Sequence, residues 1–286
     1  MAKARTRCSK TDSELAELYL ELLKKCLTDW FYVEQRGCEV RPIEMRRGRG
    51  WTTAVRNMAL RTLRKHGLTL ATRSPATMRS IGADWPVFGQ TMIGVERLNN
   101  LQECVEKVLS DNVPGDLIET GVWRGGACIF MRALLKVYGV SDRTVWLADS
   151  FRGLPLPSAA FPQDRSDTHY SSPYLRAALD EVKANFQKYA LLDEQVKFIP
   201  GWFSDSLPAA PIERLAVLRL DGDMYESTIV ALENLYPKLS PGGYVIVDDY
   251  GAVAGCREAV DDFRAKRQIA CPIARIDWTG IYWRRD

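Results

Sequence analysis

Asp221, Asp248 and Asp249 are the residues of this chain whose type and spacing bear most directly on chemistry. The apolar run "LAVLRL" stops abruptly at "DGDMYE", and the run "GGYVIV" stops at Asp248-Asp249. The separation of Asp221 and Asp248 is 248 − 221 = 27 residues, room for one helix and one strand between neighbours in a parallel sheet. Three carboxylates meeting at such a mouth repel unless a divalent cation neutralises them. An all-oxygen donor set favours Mg2+ or Ca2+, and Mg2+ keeps positions open for water or substrate. Two neighbouring substrate oxygens could chelate the ion, and one hydroxyl would then lose its proton more readily. Asp221 is the expected base as well as a ligand. Asp223 and Glu226 are secondary candidates, with capping of a helix that begins near Ser227 as the alternative role for Asp223. His169, in a long polar loop, is a rival base. His66, beside Gly67, reads as a helix-end residue favoured by the dipole.

A second constellation is "ETGVWRGG", residues 119–126, between an apolar run and an amphipathic stretch. It is not G-x-G-x-x-G, and an acid precedes its first glycine. In a dinucleotide site the helix N-terminus there would hold a pyrophosphate. Glu119 works against an anion and suits the ammonium and sulfonium of S-adenosylmethionine. Gly121 would let the backbone approach a ligand closely. Asp149 ends the next run, about thirty residues on, and suits the ribose hydroxyls of either cofactor. Trp202, past the third run, could cover an adenine.

These residues need a scaffold that gathers strand ends. From about residue 115 short apolar runs alternate with amphipathic stretches, which argues an α/β fold with a doubly wound, mainly parallel sheet. Five runs end in order at Glu119-Thr-Gly, Asp149-Ser, Pro200-Gly-Trp, Asp221-Gly-Asp and Asp248-Asp249-Tyr, and ligands of such folds bind beyond those ends. "IARID" and "GIYWRR" read as an antiparallel hairpin at one edge. Residues 152–172 form a long polar loop, long enough for a lid.

The region before it is helical in pattern. Residues 12–31 place Leu15, Leu18, Leu22, Leu23 and Cys26 at helical spacing, and residues 95–110 do the same with Leu98, Leu101, Val105 and Val108. A helix near 52–65 ends at Gly67, a C-terminal cap. "EVRPIEMRRGRGW" is a basic loop, and residues 68–93 read as irregular. The division is a helical extension over residues 1–93 and a catalytic domain over 94–286.

Composition sets bounds. Net charge is only +3, from 39 basic against 36 acidic residues among 286, which gives no reason to expect nucleic acid. Seven scattered cysteines with no C-x-x-C pair, and two histidines, exclude a zinc framework and point to reduced thiols. No signal-peptide core and no stretch of roughly 18 apolar residues is present. The expectation is a soluble cytoplasmic protein with no membrane partner.

"GDLIETGVWRGGACIFMRALLKVYG", "TVWLADSFRGLP", "LRLDGDMYEST", "LYPKLSPGGYVIVDDY" and "IDWTGIYWRR" together resemble the macrocin O-methyltransferase (TylF-type) family. The likeness runs back through "WPVFGQTMIGVERLNNLQ" to "LYLELLKKCLTDWFY". It implies a class I methyltransferase (Rossmann-like) fold whose helical N-terminal addition helps form the substrate pocket and a homodimer or higher oligomer. It implies sugar hydroxyls of glycosylated natural products as acceptors, with S-adenosylmethionine and Mg2+. Asp221, Asp248 and Asp249 would hold the metal, with Asp221 the base. Thr91 and Met92 enter as cofactor contacts from the resemblance alone. They join Glu119, Thr120, Gly121, Val122, Trp123, Asp149, Ser150, Phe151 and Trp202. The family places an acid in a tyrosine-acid pattern after its first helix; here Val33 intervenes before Glu34 and breaks that pattern.

The expected reaction is methylation of a vicinal diol, on a deoxysugar of a secondary metabolite. A catechol-type aromatic O-methyltransferase uses the same three-carboxylate logic and is the alternative. An NAD-dependent oxidoreductase is opposed by Glu119 and the missing glycine pattern. A non-catalytic binding protein has no reason to place three metal-ready acids beside a cofactor loop. Residues 40–50 and 155–172 are expected to order on ligand binding.

Overall fold

The computed structural model describes residues 10–36, 38–39, 55, 58–60, 62, 63, 65, 66 and 71–286. One sheet has seven strands: β1 (Asp116–Thr120), β2 (Val145–Asp149), β3 (Val196–Pro200), β4 (Leu215–Leu220), β5 (Leu239–Val247), β6 (Ala274–Arg275) and β7 (Ile281–Arg284). Their order across the sheet is β3-β2-β1-β4-β5-β7-β6. The first five are parallel, β7 runs antiparallel to β5, and β6 pairs with β7. The mainly parallel sheet and the edge hairpin are both as the sequence leads one to expect. Strand order reverses between β1 and β4, so the ligand crevice of such a fold opens beyond their carboxyl ends.

Among the described residues, the six longer helices are α1 (Lys10–Leu27), α2 (Val95–Ser110), α3 (Gly126–Val137), α4 (Leu179–Lys188), α5 (Tyr225–Leu235) and α6 (Ala254–Lys266). Leu98, Leu101 and Val105 of α2, Ile129, Phe130 and Leu134 of α3, and Val182 and Phe186 of α4 fill one core with Leu117 and Leu147. Leu232 and Leu235 of α5 and Val260 and Phe263 of α6 fill the other with Ile118 and Leu218. β4 is buried along its whole length, as an inner parallel strand must be. Five of its six residues are apolar; the sixth is Arg219.

The N-terminal helix departs from the expected stripe. Leu23 is buried, but Leu15, Leu18, Leu22 and Cys26 are exposed, and it is Leu20, Leu23 and Leu27 that join the core of α2 and α3. The helix has two leucine stripes, and only packing decides which one faces in. Where described, residues 55–65 are helical and His66 lies in the following turn. Gly67 and the basic loop 40–50 fall outside the described residues. Residues 68–93 hold a two-residue strand, Ala71–Thr72, paired with Cys38–Glu39, and a short helix, Ala76–Ser80. Among the described residues, no helix is long and apolar enough to cross a membrane.

Candidate active site

Strand alternation puts Glu119, Arg219, Asp221 and Asp248 on one side of the sheet. Glu119 pairs in register with Arg219, and Leu220 with Val247, so Asp221 and Asp248 leave adjacent strands side by side. Oxygens of Asp221, Asp248 and Asp249 lie within 4.8 Å of one another. Burial pushes all three carboxyls above the ordinary range. Asp248 rises to about 6 against the opposing pull of Arg97, with Asp221 adding to the rise. Asp249 is raised well above its usual value, with Asp223, Asp221 and Asp248 adding to burial. Asp221 is raised despite Arg219.

Two arginines stand among these acids. Arg219, its side chain 1 % exposed, donates from Nη1 to Glu119 Oε1 (2.6 Å) and Asp221 Oδ2 (2.7 Å), and from Nη2 to Asp248 Oδ1. Arg97 of α2 donates from Nη1 to Asp248 Oδ2 and pairs through Nε with Asp277 Oδ2 at 2.9 Å. Its Nη2 reaches the carbonyls of Ile81 and Gly82. If all are ionised, the two guanidiniums and the five carboxylates of Glu119, Asp221, Asp248, Asp249 and Asp277 sum to 2 − 5 = −3. Part of what offsets the acids is therefore protein cation, which the sequence reading missed, and the excess charge remains negative. Three convergent hard oxygen donors in a net-negative pocket fit Mg2+ or Ca2+.

Glu119 does not reach the cavity. It is buried, with Oε1 on Arg219 and Oε2 accepting the Cys128 thiol of α3 at 2.9 Å. Burial, against Arg219, pushes it up to about 7. The sequence placed it against a cofactor ammonium; the fold gives it an internal partner first.

The glycine loop after β1 bends at Gly121 (φ 85°), where an added Cβ would overlap the carbonyl oxygen of Asp221. Gly126 opens α3 beneath residues 90–91; an added Cβ there would stand 2.6 Å from the Gln90 carbonyl oxygen. Asp149 ends β2 and accepts Val122 N–H (2.8 Å) on Oδ2 and Phe151 N–H (2.7 Å) on Oδ1. Burial still raises its pKa.

A cavity of about 250 Å³ opens over these strand ends. Of the expected cofactor residues, Met92, Gly121, Trp123, Asp149, Ser150 and Trp202 line it, together with Asp221. Thr91, Thr120, Val122 and Phe151 are buried behind that lining. The loop residues Leu154, Pro155 and Leu156, with Phe203 and Val230, complete an apolar wall that the sequence reading did not single out. Asp149, Asp221, Asp223 and Glu226 are its charged residues, and among the described residues no lysine, arginine or histidine lines it.

The loop after β2 is built of short 3-10 turns, and Asp164 ties it down by capping α5. Asp223 makes no cap. It stands in the left-handed region (φ 58°), its N–H on Asp249 Oδ2 (3.1 Å), and burial raises it to about 6 with His169 opposing. His169 is held by Asp167, Nδ1 to Oδ2 at 2.7 Å, and lies outside the cavity lining. Glu34 is exposed on a short helix, also outside that lining.

Comparison with known proteins places the chain in a family. Residues 16–285 match the family described as macrocin O-methyltransferase (TylF). The chain is 49 % identical over 270 residues, 94 % of its length and 92 % of the relative's, to 8-demethyl-8-(2,3-dimethoxy-alpha-L-rhamnosyl)-tetracenomycin-C 4'-O-methyltransferase of Streptomyces olivaceus. It is 56 % identical over 210 residues, 73 % of its length and 80 % of the relative's, to demethyldecarbamoylnovobiocin O-methyltransferase of Streptomyces niveus. The solved structure of the O-methyltransferase NovP superposes with a TM-score of 0.79 at 46 % identity, covering 94 % of this chain and 99 % of that one. The chain belongs to the macrocin O-methyltransferase (TylF) family and is an S-adenosylmethionine-dependent O-methyltransferase.

Proposed function

We propose that the acceptor is a sugar hydroxyl of a glycosylated natural product, one of a vicinal pair, and that Asp221, Asp248 and Asp249 hold Mg2+ beside it. One observation carries the reading most: Asp221 lines the same cavity as Met92, Gly121, Trp123, Asp149 and Trp202, with its two acidic partners within 4.8 Å. The relatives' names describe methylation on rhamnosyl tetracenomycin, on a novobiocin precursor and, at 45 % identity, on mycinamicin III of Micromonospora griseorubida, and so favour a glycoside over a catechol.

Each residue has a part. Asp149, Ser150, Met92 and Trp202 bind and orient the cofactor, with the Gly121 backbone close against it. S-adenosylmethionine supplies the methyl group on its sulfonium. A bound Mg2+ would supply positive charge that eases loss of the hydroxyl proton. Asp221, on the cavity wall, takes that proton. Trp202, Phe203 and Leu156 keep bulk water from the transfer. The carboxylates on the cavity wall suit a cationic cofactor and an uncharged polyol, and oppose the pyrophosphate of a dinucleotide. Exposed Leu15, Leu18 and Leu22 on α1 support self-association as a homodimer or larger oligomer.

The test is incubation with S-adenosylmethionine and a panel of glycosides and catechols, with and without chelator. Mass spectrometry that finds one methyl on the sugar, and none after chelation, supports the reading. Methylation of the catechol alone, or transfer unaffected by chelator, overturns it.

A further inference from the structure

The acids that chelate and the arginines that stand behind them form two matching chains. Glu119 anchors Arg219, which holds Asp221 and Asp248. Asp277 anchors Arg97, which holds the other oxygen of Asp248. In each chain the anchor is an acid outside the metal-binding set.

We propose that Arg219 is a positioning residue that fixes Asp221 and Asp248 in the arrangement that receives the divalent cation; this rests on the metal reading above. Arg219 is 1 % exposed and absent from the cavity wall, so it touches neither cofactor nor acceptor. It replaces an apolar residue in the most buried strand of the sheet, where a hydrophobic side chain of similar volume is often neutral or better for stability. A fold needs no such ion there; a metal site does. Asp221 lies just past the strand end before Gly222, and its side chain is 26 % exposed against 8 % for Asp248, so burial alone holds it less firmly. The guanidinium fork supplies that constraint. One nitrogen spans Glu119 and Asp221 while the other takes Asp248, a reach that a single ammonium lacks. Arg219 holds one oxygen of Asp221 at 2.7 Å, and each of Asp221 and Asp248 still has an oxygen within 4.8 Å of one of Asp249.

Positioning and simple electrostatics predict opposite signs. A fixed positive charge repels an incoming cation, so if charge alone mattered, removing Arg219 would tighten Mg2+ binding. If placement matters more, removing it weakens binding, as loss of groups that orient metal ligands generally does.

The test is calorimetric titration of Mg2+ into wild type, Arg219→Lys, Arg219→Met and Glu119→Gln, with S-adenosylmethionine titrated into the same samples as a measure of the intact cavity. Arg219→Lys and Arg219→Met are expected to weaken Mg2+ binding about 10- to 100-fold while cofactor affinity holds. Glu119→Gln keeps an acceptor for the arginine but removes a negative charge, so both accounts expect somewhat weaker binding from it, and it serves only to show that the cluster senses the change. Mg2+ affinity equal to or tighter than wild type in the folded variants overturns the proposal. Should neither arginine variant fold, Arg219→Gln, uncharged and still able to donate, decides by the same signs. Wild type that takes up no divalent cation removes the metal reading itself, whereas a tight-binding wild type with tight-binding variants removes only the role given to Arg219.

Discussion

The carboxylate of Asp164, in the loop after β2, accepts the backbone N–H of Tyr225 at 2.7 Å, and its second oxygen takes Glu226 N–H at 2.9 Å. These are two of the donors that the start of α5 leaves unpaired. Ordinary caps come from the residue next to the helix; this one comes from a loop 61 positions away in sequence. The same helix puts Glu226, Ser227 and Val230 on the cavity wall. One buried aspartate thus fixes both the loop and the helix that face the ligand.

Asp164→Ala should cost about 1–3 kcal/mol, because two part-buried N–H groups lose a charged acceptor. Denaturant unfolding reads the loss. Asp164→Asn, which keeps an acceptor oxygen, should lose less. Equal stability of Asp164→Ala and wild type would show that water or another side chain caps α5 as well.

The acidic cluster gives the metal-free protein an unusual pH profile. Burial pushes Glu119 up to about 7 and Asp248 to about 6, above unfolded values of about 4. The folded state then keeps protons that the unfolded state has released. That stability is fully present below about pH 4 and is lost as pH rises through 6 to 7. In chelator, the melting temperature should therefore fall from about pH 5 to about pH 7.5, and Mg2+ should restore it at the higher pH. A melting temperature that rises over this range in chelator would contradict the charge balance described here.

Gly121→Ala should be among the most damaging small substitutions. The position needs φ 85°, and a methyl there would overlap the Asp221 carbonyl oxygen. Strand β4 would have to move away from β1, carrying Asp221 with it. A loss on the order of 1–3 kcal/mol or more is expected, with cofactor and Mg2+ affinity falling together. Thermal melts and titrations on one sample read all three.

Trp202→Ala separates the two halves of the site. Trp202 lies on the cavity wall, 36 % exposed, and contacts none of the metal-binding acids by hydrogen bond. Loss of an aromatic platform for adenine should weaken S-adenosylmethionine by about 1–3 kcal/mol. Mg2+ binding should be unchanged. A variant with wild-type cofactor affinity would assign the adenine to another wall, with Phe203 the next candidate.

Much of the frame was legible because its signals are local. Apolar runs of five or six residues mark parallel strands, and the three metal-binding candidates sit where such runs stop. The spacing of Asp221 and Asp248 foretold neighbouring strands, and the register agrees. What escaped the sequence depends on distant partners. Arg97 and Asp248 are 151 positions apart, and only the packing of α2 against the sheet brings them together. Asp164 and Tyr225 are another such pair, which is why capping was sought at Asp223 instead. Arg219 did leave a trace, one charge inside a strand otherwise buried and apolar. A lone ion in such a run should prompt a search for acids at the same height on the neighbouring strands. The choice between the two leucine stripes of α1 left no trace, since both satisfy the same periodicity.

The most direct test is calorimetric titration of Mg2+, and separately of S-adenosylmethionine, into wild type and Asp249→Asn. The Asp249 side chain accepts the Asp223 backbone N–H at 3.1 Å, which asparagine can still accept, so the fold should survive the change. The expected result is that wild type binds both, and that the variant binds the cofactor normally and loses Mg2+. A variant that binds Mg2+ as tightly as wild type would place the cation elsewhere and contradict the three-carboxylate site.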